Sequence, residues 1–159
     1  MQTERKITAF EARTHLGEIL DFVRYSKTPC LIERHGKAVA AIIDIEVYKQ
    51  HALNKQYSAW IATVTEQIKT HYQPEKIILF GSAARGELRD GSDIDIFVLK
   101  ETNKRKLDRI DEVLEFIDPA IPVELHIFTP GEIKERLKLN DFFIKEILNS
   151  GKLLYERKK

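Results

Sequence analysis

The segment that most constrains this chain is residues 79–98, LFGSAARGELRDGSDIDIFV, in which two acids enter an apolar strand. Side chains two positions apart on a β-strand point to the same face of the sheet. Asp93 and Asp95 are therefore expected to project together. The apolar residues beside them pack on the opposite face: Ile94, Ile96 and Val98. The pattern predicts a sheet with one buried face and a pair of carboxylates on the other.

The paired acids predict a site for a divalent cation. Two adjacent carboxylates repel, and each favours its neutral form unless a cation lies between them. Mg²⁺ or Mn²⁺ takes hard oxygen ligands from carboxylates and substrate phosphates. Just upstream, Gly81 and Ser82 can turn out of a strand so that backbone amides approach a phosphate. The segment therefore predicts metal-assisted nucleotidyl transfer from a nucleoside triphosphate.

Two further polar residues complete the predicted nucleotide-binding set of Gly81, Ser82, Arg85 and Ser92. Arg85 follows the glycine turn closely enough to clamp phosphate oxygens. Ser92 immediately precedes the acids. Arg89 lies in the same stretch and is interpreted as a solvated loop arginine.

Residues 1–52 show helix and hairpin patterns. Thr8 and Glu11 form a capping-box signal, and apolar residues then recur at helical spacing over Ala9–Tyr25. The next predicted elements are two strands, Cys30–Glu33 and Lys37–Asp44, a turn between them at His35 and Gly36, and a helix that begins at Ile45. A unit with so little apolar surface is expected to pair with another copy or to pack on the rest of the chain.

Residues 53–159 alternate helices and strands, which is typical of an α/β or α+β domain. The predicted elements are a long helix over His51–His71, strands at Ile77–Phe80, Ile94–Leu99 and Val123–Phe128, and helices at Lys104–Ile117, Glu132–Leu139 and Phe142–Leu148. The whole chain is thus predicted to be α+β, with domains at 1–52 and 53–159.

Composition excludes several classes of protein. A net charge of +1 in 159 residues argues against a uniformly basic nucleic-acid binder. No apolar run approaches the roughly 18 residues of a membrane span, and the first residues lack a signal-peptide core. Cys30 is the single cysteine, so no internal disulfide can form. A cytoplasmic protein is expected.

The acid-bearing segment resembles the signature of the polymerase-beta-like nucleotidyltransferases: Gly81-Ser82, ten residues, then Asp93-Ile94-Asp95. The sequence of this segment is similar to those of the minimal nucleotidyltransferase branch. The resemblance implies a small mixed sheet with helices on one face, an active site on the other, and a third carboxylate from a later strand. Glu124 in VELHIF is that candidate, where the family commonly has Asp, and it is expected to ligate the metal or to activate the attacking hydroxyl. His126 is interpreted as an ordinary strand histidine.

The first unit resembles the Phd/YefM antitoxins through ITAFEARTHLGEILDFV, PCLIERHGKAVAAIID and VYK. That family dimerises through its sheet and binds operator DNA, which implies DNA-contacting roles for Arg13 and Arg34. Four more cations are candidates for phosphate contacts: Arg5, Lys6, Lys27 and Lys37. The near-balanced charge of residues 1–50, eight basic against seven acidic, leaves open a dimerisation module that does not bind DNA.

Together the two resemblances imply an antitoxin in which a nucleotidyltransferase stands where the family has a disordered, toxin-neutralising tail. Minimal nucleotidyltransferases pair with HEPN-type toxins, and some inactivate them by attaching AMP from ATP to a tyrosine. We therefore expect an Mg²⁺-dependent enzyme that modifies a HEPN-type toxin and a dimeric unit that binds operator DNA. Two alternatives stay open: a non-catalytic autorepressor that masks its toxin, and an enzyme acting on a small molecule or an RNA end.

Overall fold

The computed structural model describes residues 4–158, so the outermost ends of the two predicted domains, residues 1–3 and Lys159, lie outside the described residues. The chain divides into two compact units between Ala52 and Leu53. Within the described part of the chain, no helix is long and apolar enough to cross a membrane.

The first unit is a three-stranded sheet with two short helices. Its elements are β1 (Arg5–Thr8), α1 (Ala9–Thr14), α2 (Leu16–Ser26), β2 (Cys30–Arg34) and β3 (Lys37–Ile42). β2 lies between β1, which is parallel to it, and β3, which is antiparallel. The predicted hairpin turn is confirmed, with His35 and Gly36 both at positive φ. The core of this unit consists of Ile7, Ile19, Val23 and Cys30.

The prediction of one continuous helix over Ala9–Tyr25 is wrong. The capping box between Thr8 and Glu11 is present, but α1 ends after six residues and a second helix begins at Leu16. The Thr14 hydroxyl donates to the backbone oxygen of Phe10 at 3.1 Å. Such back-bonding by threonine bends helices, and His15 then leaves helical geometry.

The second unit is a four-stranded sheet with helices on both faces. Its elements are β4 (Lys76–Leu79), α4 (Gly81–Arg85), β5 (Ile94–Leu99), α5 (Lys106–Leu114), β6 (Val123–Phe128), α6 (Pro130–Lys138), α7 (Phe142–Ser150) and β7 (Lys152–Glu156). The strand order is β6-β5-β4-β7, with β5 and β6 parallel and the other pairs antiparallel. The mixture of helices and antiparallel and parallel strands confirms the α+β prediction.

A long helix, α3 (Ile45–Gln67), continues into a π-helical turn at Ile68–Tyr72. The predicted start at Ile45 is confirmed, and this helix is continuous with the long helix predicted over His51–His71. Its residues from position 57 onward pack on one face of the second sheet together with α5. The turn ends at Gln73, which adopts positive φ immediately before Pro74.

The prediction that helices cover only one face of this sheet is wrong. Phe97 and Phe128 point to the second face, where they pack with Ile133 of α6 and with Ile144 and Ile147 of α7. These aromatic side chains need a cover, so α6 and α7 occupy part of the face that was expected to be open. The acids lie on the remaining part.

Candidate active site

Asp95 lies within β5, and the register of the parallel β5–β6 pair places it directly opposite Glu124. The side chains that flank Asp95 in sequence, Ile94 and Ile96, are fully buried in the core beneath the other face. Burial raises the pKa of the Asp95 carboxyl, and the Glu124 carboxylate raises it further. Two acids from two strands therefore share one stretch of the sheet surface.

Asp93 does not lie in the strand, because β5 begins at Ile94. It ends the loop that leads into β5, and its side chain is exposed. Its charge contributes to the raised pKa of Asp95, after burial and Glu124. The charge of Asp93 therefore acts on Asp95, and only Asp95 is held by the sheet.

Gly81 leaves β4 beside Asp95 with φ of +66°, a conformation that favours glycine. A β-carbon at this position would lie 1.9 Å from Oδ2 of Asp95. The preceding residue, Phe80, donates its amide hydrogen to the Asp95 backbone oxygen at 3.0 Å. The glycine turn and the central acid are therefore packed directly together.

Tyr57 of α3 anchors the loop that carries Asp93. The Tyr57 hydroxyl donates to the backbone oxygen of Ser92 at 2.6 Å, and Tyr57 is 2% exposed. Burial raises the pKa of Tyr57, with the charges of Asp90 and Asp93 adding to the effect. The hydroxyl oxygen of Ser92 accepts from the Arg89 amide at 2.9 Å. Ser92, predicted to bind nucleotide, thus also shapes the loop.

Arg85 ends α4 and is exposed. Its Nε donates to a carboxylate oxygen of Glu87 at 2.8 Å, and this ion pair raises the pKa of Arg85. The ion pair with Glu87 thereby orients the guanidinium of Arg85. Ser82 lies in the same short helix, half-buried. The structure therefore places Gly81, Ser82 and Arg85 on one element beside Asp95.

A cleft of about 280 Å³ opens beside this turn. Gly81 and Arg85 form one wall, and Phe143, Glu146 and Ser150 of α7 form the other. The cleft is mainly apolar with charged groups at two points, which is the usual character of a small-molecule site.

Glu124 and His126 lie on the same face of β6. The Nε2 atom of His126 is 3.0 Å from Oε1 of Glu124. The imidazole packs against two aromatic rings, with centroid distances of 5.3 Å to Phe80 and 5.2 Å to Phe143. The third predicted acid is therefore joined to an aromatic cluster that reaches both the glycine turn and α7.

The donor set fits Mg²⁺. Within residues 4–158, no three acidic, histidine or cysteine side chains are close enough together to enclose an ion. Mg²⁺ commonly uses one or two carboxylates together with water and phosphate oxygens, so a complete protein cage is not required. Asp95, held half-buried against a second carboxylate, would gain most from a cation. Asp95 and Glu124 would supply two carboxylates, and Asp93, the third predicted ligand, does not form a three-residue group with them.

The predicted DNA-binding residues of the first unit do not form one cluster. Lys6 is ion-paired with Glu33 at 3.2 Å, and Arg5 and Arg13 lie over the rings of Phe22 and Phe10. Two of the cations stand opposite each other at the hairpin end of the sheet, Arg34 and Lys37. Lys27, the remaining phosphate-contact candidate, is ion-paired with Asp44 at 2.9 Å. Since Arg5 pairs with Cys30 in the register, about 13 Å of strand separates it from the Arg34 position.

Comparison with known proteins assigns the second unit. The family model described as "Polymerase beta, Nucleotidyltransferase" matches residues 62–159, more than half of the chain. The chain belongs to this family. The nucleotidyltransferase also matches, over residues 4–64, the model described as "Antitoxin Phd_YefM, type II toxin-antitoxin system". Both resemblances seen in the sequence are thereby confirmed.

Two curated relatives of the nucleotidyltransferase come from Methanocaldococcus jannaschii. One is named "Putative protein adenylyltransferase MJ1379" and is 34% identical over 67 residues, covering 42% of this chain and 67% of the relative. The other, "Putative protein adenylyltransferase MJ0604", is 31% identical over 81 residues, covering 51% and 78%. A crystal structure of "a putative nucleotidyltransferase from Sulfolobus solfataricus" aligns with a TM-score of 0.43 and 24% identity, over 79% of this chain and 96% of that one.

Several residues of the site were missed or misread in the sequence. Tyr57 lies in the long helix predicted over His51–His71 and was not singled out, and His126 was interpreted as an ordinary strand histidine. A buried tyrosine hydroxyl needs a hydrogen-bond partner, so Tyr57 carried a signal that it contacts a polar group. The sequence offered no comparable signal for Phe143 or Glu87, whose positions depend on packing.

Proposed function

We propose that this nucleotidyltransferase is the antitoxin of a toxin-antitoxin system and transfers AMP from ATP to its partner toxin. The carrying observation is that one chain joins an antitoxin family match to a transferase site in which Gly81 packs on Asp95 opposite Glu124. The two relatives named as protein adenylyltransferases support a protein acceptor. The toxin is of the HEPN type implied by the sequence resemblance.

In the proposed reaction, a hydroxyl of the toxin attacks the α-phosphorus of ATP. A new phosphorus–oxygen bond forms, the bond to the bridging oxygen of the β-phosphate breaks, and pyrophosphate leaves. The hydroxyl proton passes to water. Mg²⁺, when bound, neutralises charge on the attacking and leaving oxygens. Gly81, Ser82 and Arg85 bind the phosphates, and the predicted acids Asp93 and Asp95 would hold the ion.

The first unit is proposed to dimerise through its sheet and to bind operator DNA. Strand β3 supports a dimer, because five of its six residues are exposed and Val39 is 61% exposed. A second copy would cover this surface and give the two-fold symmetry that palindromic DNA requires. Binding of operator DNA should weaken when Arg13 or Arg34 is replaced by alanine.

The test is a transfer assay with purified full-length protein, α-labelled ATP, Mg²⁺ and the product of the neighbouring gene. We expect the label and the mass of one AMP on the neighbour. Asp93→Asn and Asp95→Asn should each abolish transfer. Asp90→Asn is the matched control, because Asp90 is an exposed acid of the same loop that no step requires.

If the unmodified protein transfers no label while the two proteins still form a complex, the enzymatic proposal is refuted. That result would instead favour an antitoxin that masks its toxin by binding. Label that appears on RNA or a small molecule but not on the neighbour would assign a different acceptor.

A further inference from the structure

Glu124 occupies the position of the third acid with a longer side chain than the aspartate common there. Its side chain is 58% exposed. An exposed glutamate rotates about one more bond than an aspartate, and ordering it costs conformational entropy. A metal site requires its ligands in place to within about half an ångström. Something must therefore hold the Glu124 carboxylate if it is to serve beside Asp95.

The structure contains a group that does so. Nε2 of His126 lies 3.0 Å from Oε1 of Glu124, and both side chains stand on the same face of β6. An ionised carboxylate can only accept hydrogen bonds, so a hydrogen bond to ionised Glu124 requires the hydrogen on Nε2 of His126. One oxygen of Glu124 is thereby engaged, and the other is available to a cation.

The imidazole is itself restrained. Only 22% of the His126 side chain is exposed, and its ring packs against both Phe80 and Phe143. These two phenylalanines also contact each other edge to face, with centroids 5.6 Å apart. Phe80 is bonded through its amide to the backbone of Asp95. Phe80 therefore links the position of the His126 ring to β5, the strand that carries Asp95.

We infer that His126 is the positioning residue for the third acid: packed against Phe80 and Phe143, it fixes the longer Glu124 side chain so that its free oxygen can face a cation beside Asp95. This inference rests on the proposed transferase function. Residues that orient metal ligands typically affect metal affinity or activity by about 10- to 100-fold when they are replaced. His126 should fall in this range without contacting the ion.

The first test uses the metal-free protein. Nitrogen-15 NMR of histidine-labelled full-length protein should show His126 with its hydrogen on Nε2, and the His126→Gln spectrum identifies its signal among the five histidines. Glu124→Gln should shift that signal. A hydrogen on Nδ1 with a bare Nε2, in the protein with Glu124 intact, would overturn the inference whatever the activity proves to be.

The second test measures Mn²⁺ affinity in the presence of a non-hydrolysable ATP analogue. His126→Phe, which keeps an aromatic ring but removes the donor, should weaken binding at least about tenfold. His126→Gln, which restores an N–H donor, should recover most of the loss. In a Glu124→Gln background, His126→Phe should have no further effect, which a general loss of packing would not produce. Thermal melting of each variant monitors the fold.

The outcomes separate the inference from the function beneath it. If the unmodified protein binds Mn²⁺ and Asp95→Asn abolishes binding, but His126→Phe binds as tightly as the unmodified protein, the positioning role is refuted and the transferase proposal stands. Equal losses for His126→Phe and His126→Gln at unchanged melting temperature would also refute it. If the unmodified protein takes up no Mn²⁺ with the analogue, the proposed transferase function fails and the inference fails with it.

Discussion

The α-carbon of Gly81 faces the carboxylate of Asp95 so closely that a β-carbon at position 81 would lie 1.9 Å from Oδ2. The same hypothetical atom would lie 2.8 Å from Cγ of Asp95. Real β-carbons do not approach other atoms this closely, so any side chain at position 81 must push Asp95 aside. The absence of a side chain at one residue thus determines where the central acid stands.

Replacement of Gly81 by alanine should therefore displace Asp95 and abolish most of the transfer activity. A displacement of about 1 Å at a reacting centre can cost about 100-fold in rate, and we expect a loss of at least that size. Steady-state transfer with labelled ATP and Mn²⁺ titration of the same preparation would measure it.

Gly86→Ala is the matched control for this change. Gly86 also has positive φ, at +76°, but a β-carbon there would meet no atom within 4 Å. The control should lose about 1 to 2 kcal/mol of stability from backbone strain alone. It should keep its Mn²⁺ affinity. Equal losses of affinity in both variants would show that strain, not contact with Asp95, is responsible.

A second prediction concerns the tyrosine beneath the acid-bearing loop. Tyr57→Phe removes the hydrogen bond to the Ser92 backbone oxygen and should cost about 1 kcal/mol of stability. Because that loop carries Asp93, we expect the transfer rate to fall by about fivefold, which corresponds to about 1 kcal/mol. Urea unfolding and single-turnover transfer would measure the two effects.

Tyr72 of the second unit is a control, because its buried hydroxyl, unlike that of Tyr57, makes no hydrogen bond within residues 4–158. Burial raises the pKa of Tyr72 to about 12. Tyr72→Phe removes an unsatisfied group and should leave stability unchanged or increase it by about 1 kcal/mol. A rate loss equal to that of Tyr57→Phe would argue against a specific role for the Ser92 contact.

The local part of the site was predictable from the sequence. The glycine turn, the loop and the two acids lie within twenty consecutive residues, so their proximity follows from strand geometry. The order of the strands β4, β5 and β6 along the chain was also predicted, because each is an apolar run bounded by breakers. The predicted bounds of β5, Ile94–Leu99, are confirmed, with Asp93 just before the strand.

The parts that were missed depend on contacts between distant segments. β1 and β7 are short strands that contain charged residues, and they become strands only by pairing with β2 and β4. The partner of Tyr57 lies 35 residues away along the chain. α6 and α7 were predicted as helices, but which face of the sheet they cover depends on Phe97 and Phe128. No local pattern contains this information.

Asp95 provides a prediction on pH. Its pKa is raised in the folded protein, so between its unfolded value near 3.9 and that raised value the native state binds more protons than the unfolded state. The free energy of unfolding of the metal-free protein should therefore fall as pH rises through this window. Asp95→Asn should remove this decline and stabilise the metal-free protein at pH 7. The gain should be under about 1 kcal/mol, because solvent screens a half-buried group.

Urea unfolding of the unmodified protein and of Asp95→Asn, in a chelating buffer between pH 3.5 and 8, would test this. We expect the two proteins to be equally stable at the acid end and to diverge as pH rises. The same variant should no longer bind Mn²⁺ with nucleotide, so that stability increases while function is lost. A variant that is less stable at pH 7 would contradict the raised pKa of Asp95.

The ion pair between Arg109 and Glu132 should give stability with the opposite dependence on pH. Arg109 is 6% exposed, and its guanidinium donates to Glu132 at 2.7 Å and to the Lys104 backbone oxygen at 2.7 Å. Burial opposes ionisation of Glu132, but hydrogen bonds from Arg109 and from the Thr129 amide outweigh it and lower the pKa of Glu132. Its contribution is therefore complete above the unfolded pKa near 4.3 and is lost as pH falls through the folded value.

Glu132→Gln keeps the capping geometry of α6 but leaves the Arg109 charge buried without a counterion. We expect a loss of about 2 kcal/mol at pH 7, below the usual cost of breaking a fully buried pair because Glu132 is partly exposed. Arg109→Met should cost less, since it removes the charge and fills the space. Glu66→Gln, which breaks an exposed pair with Lys69, should change stability little. Urea unfolding from pH 3 to 7 should show the Glu132→Gln deficit shrinking as the pH falls, and a deficit that stays constant would exclude the charge of Glu132 as its source.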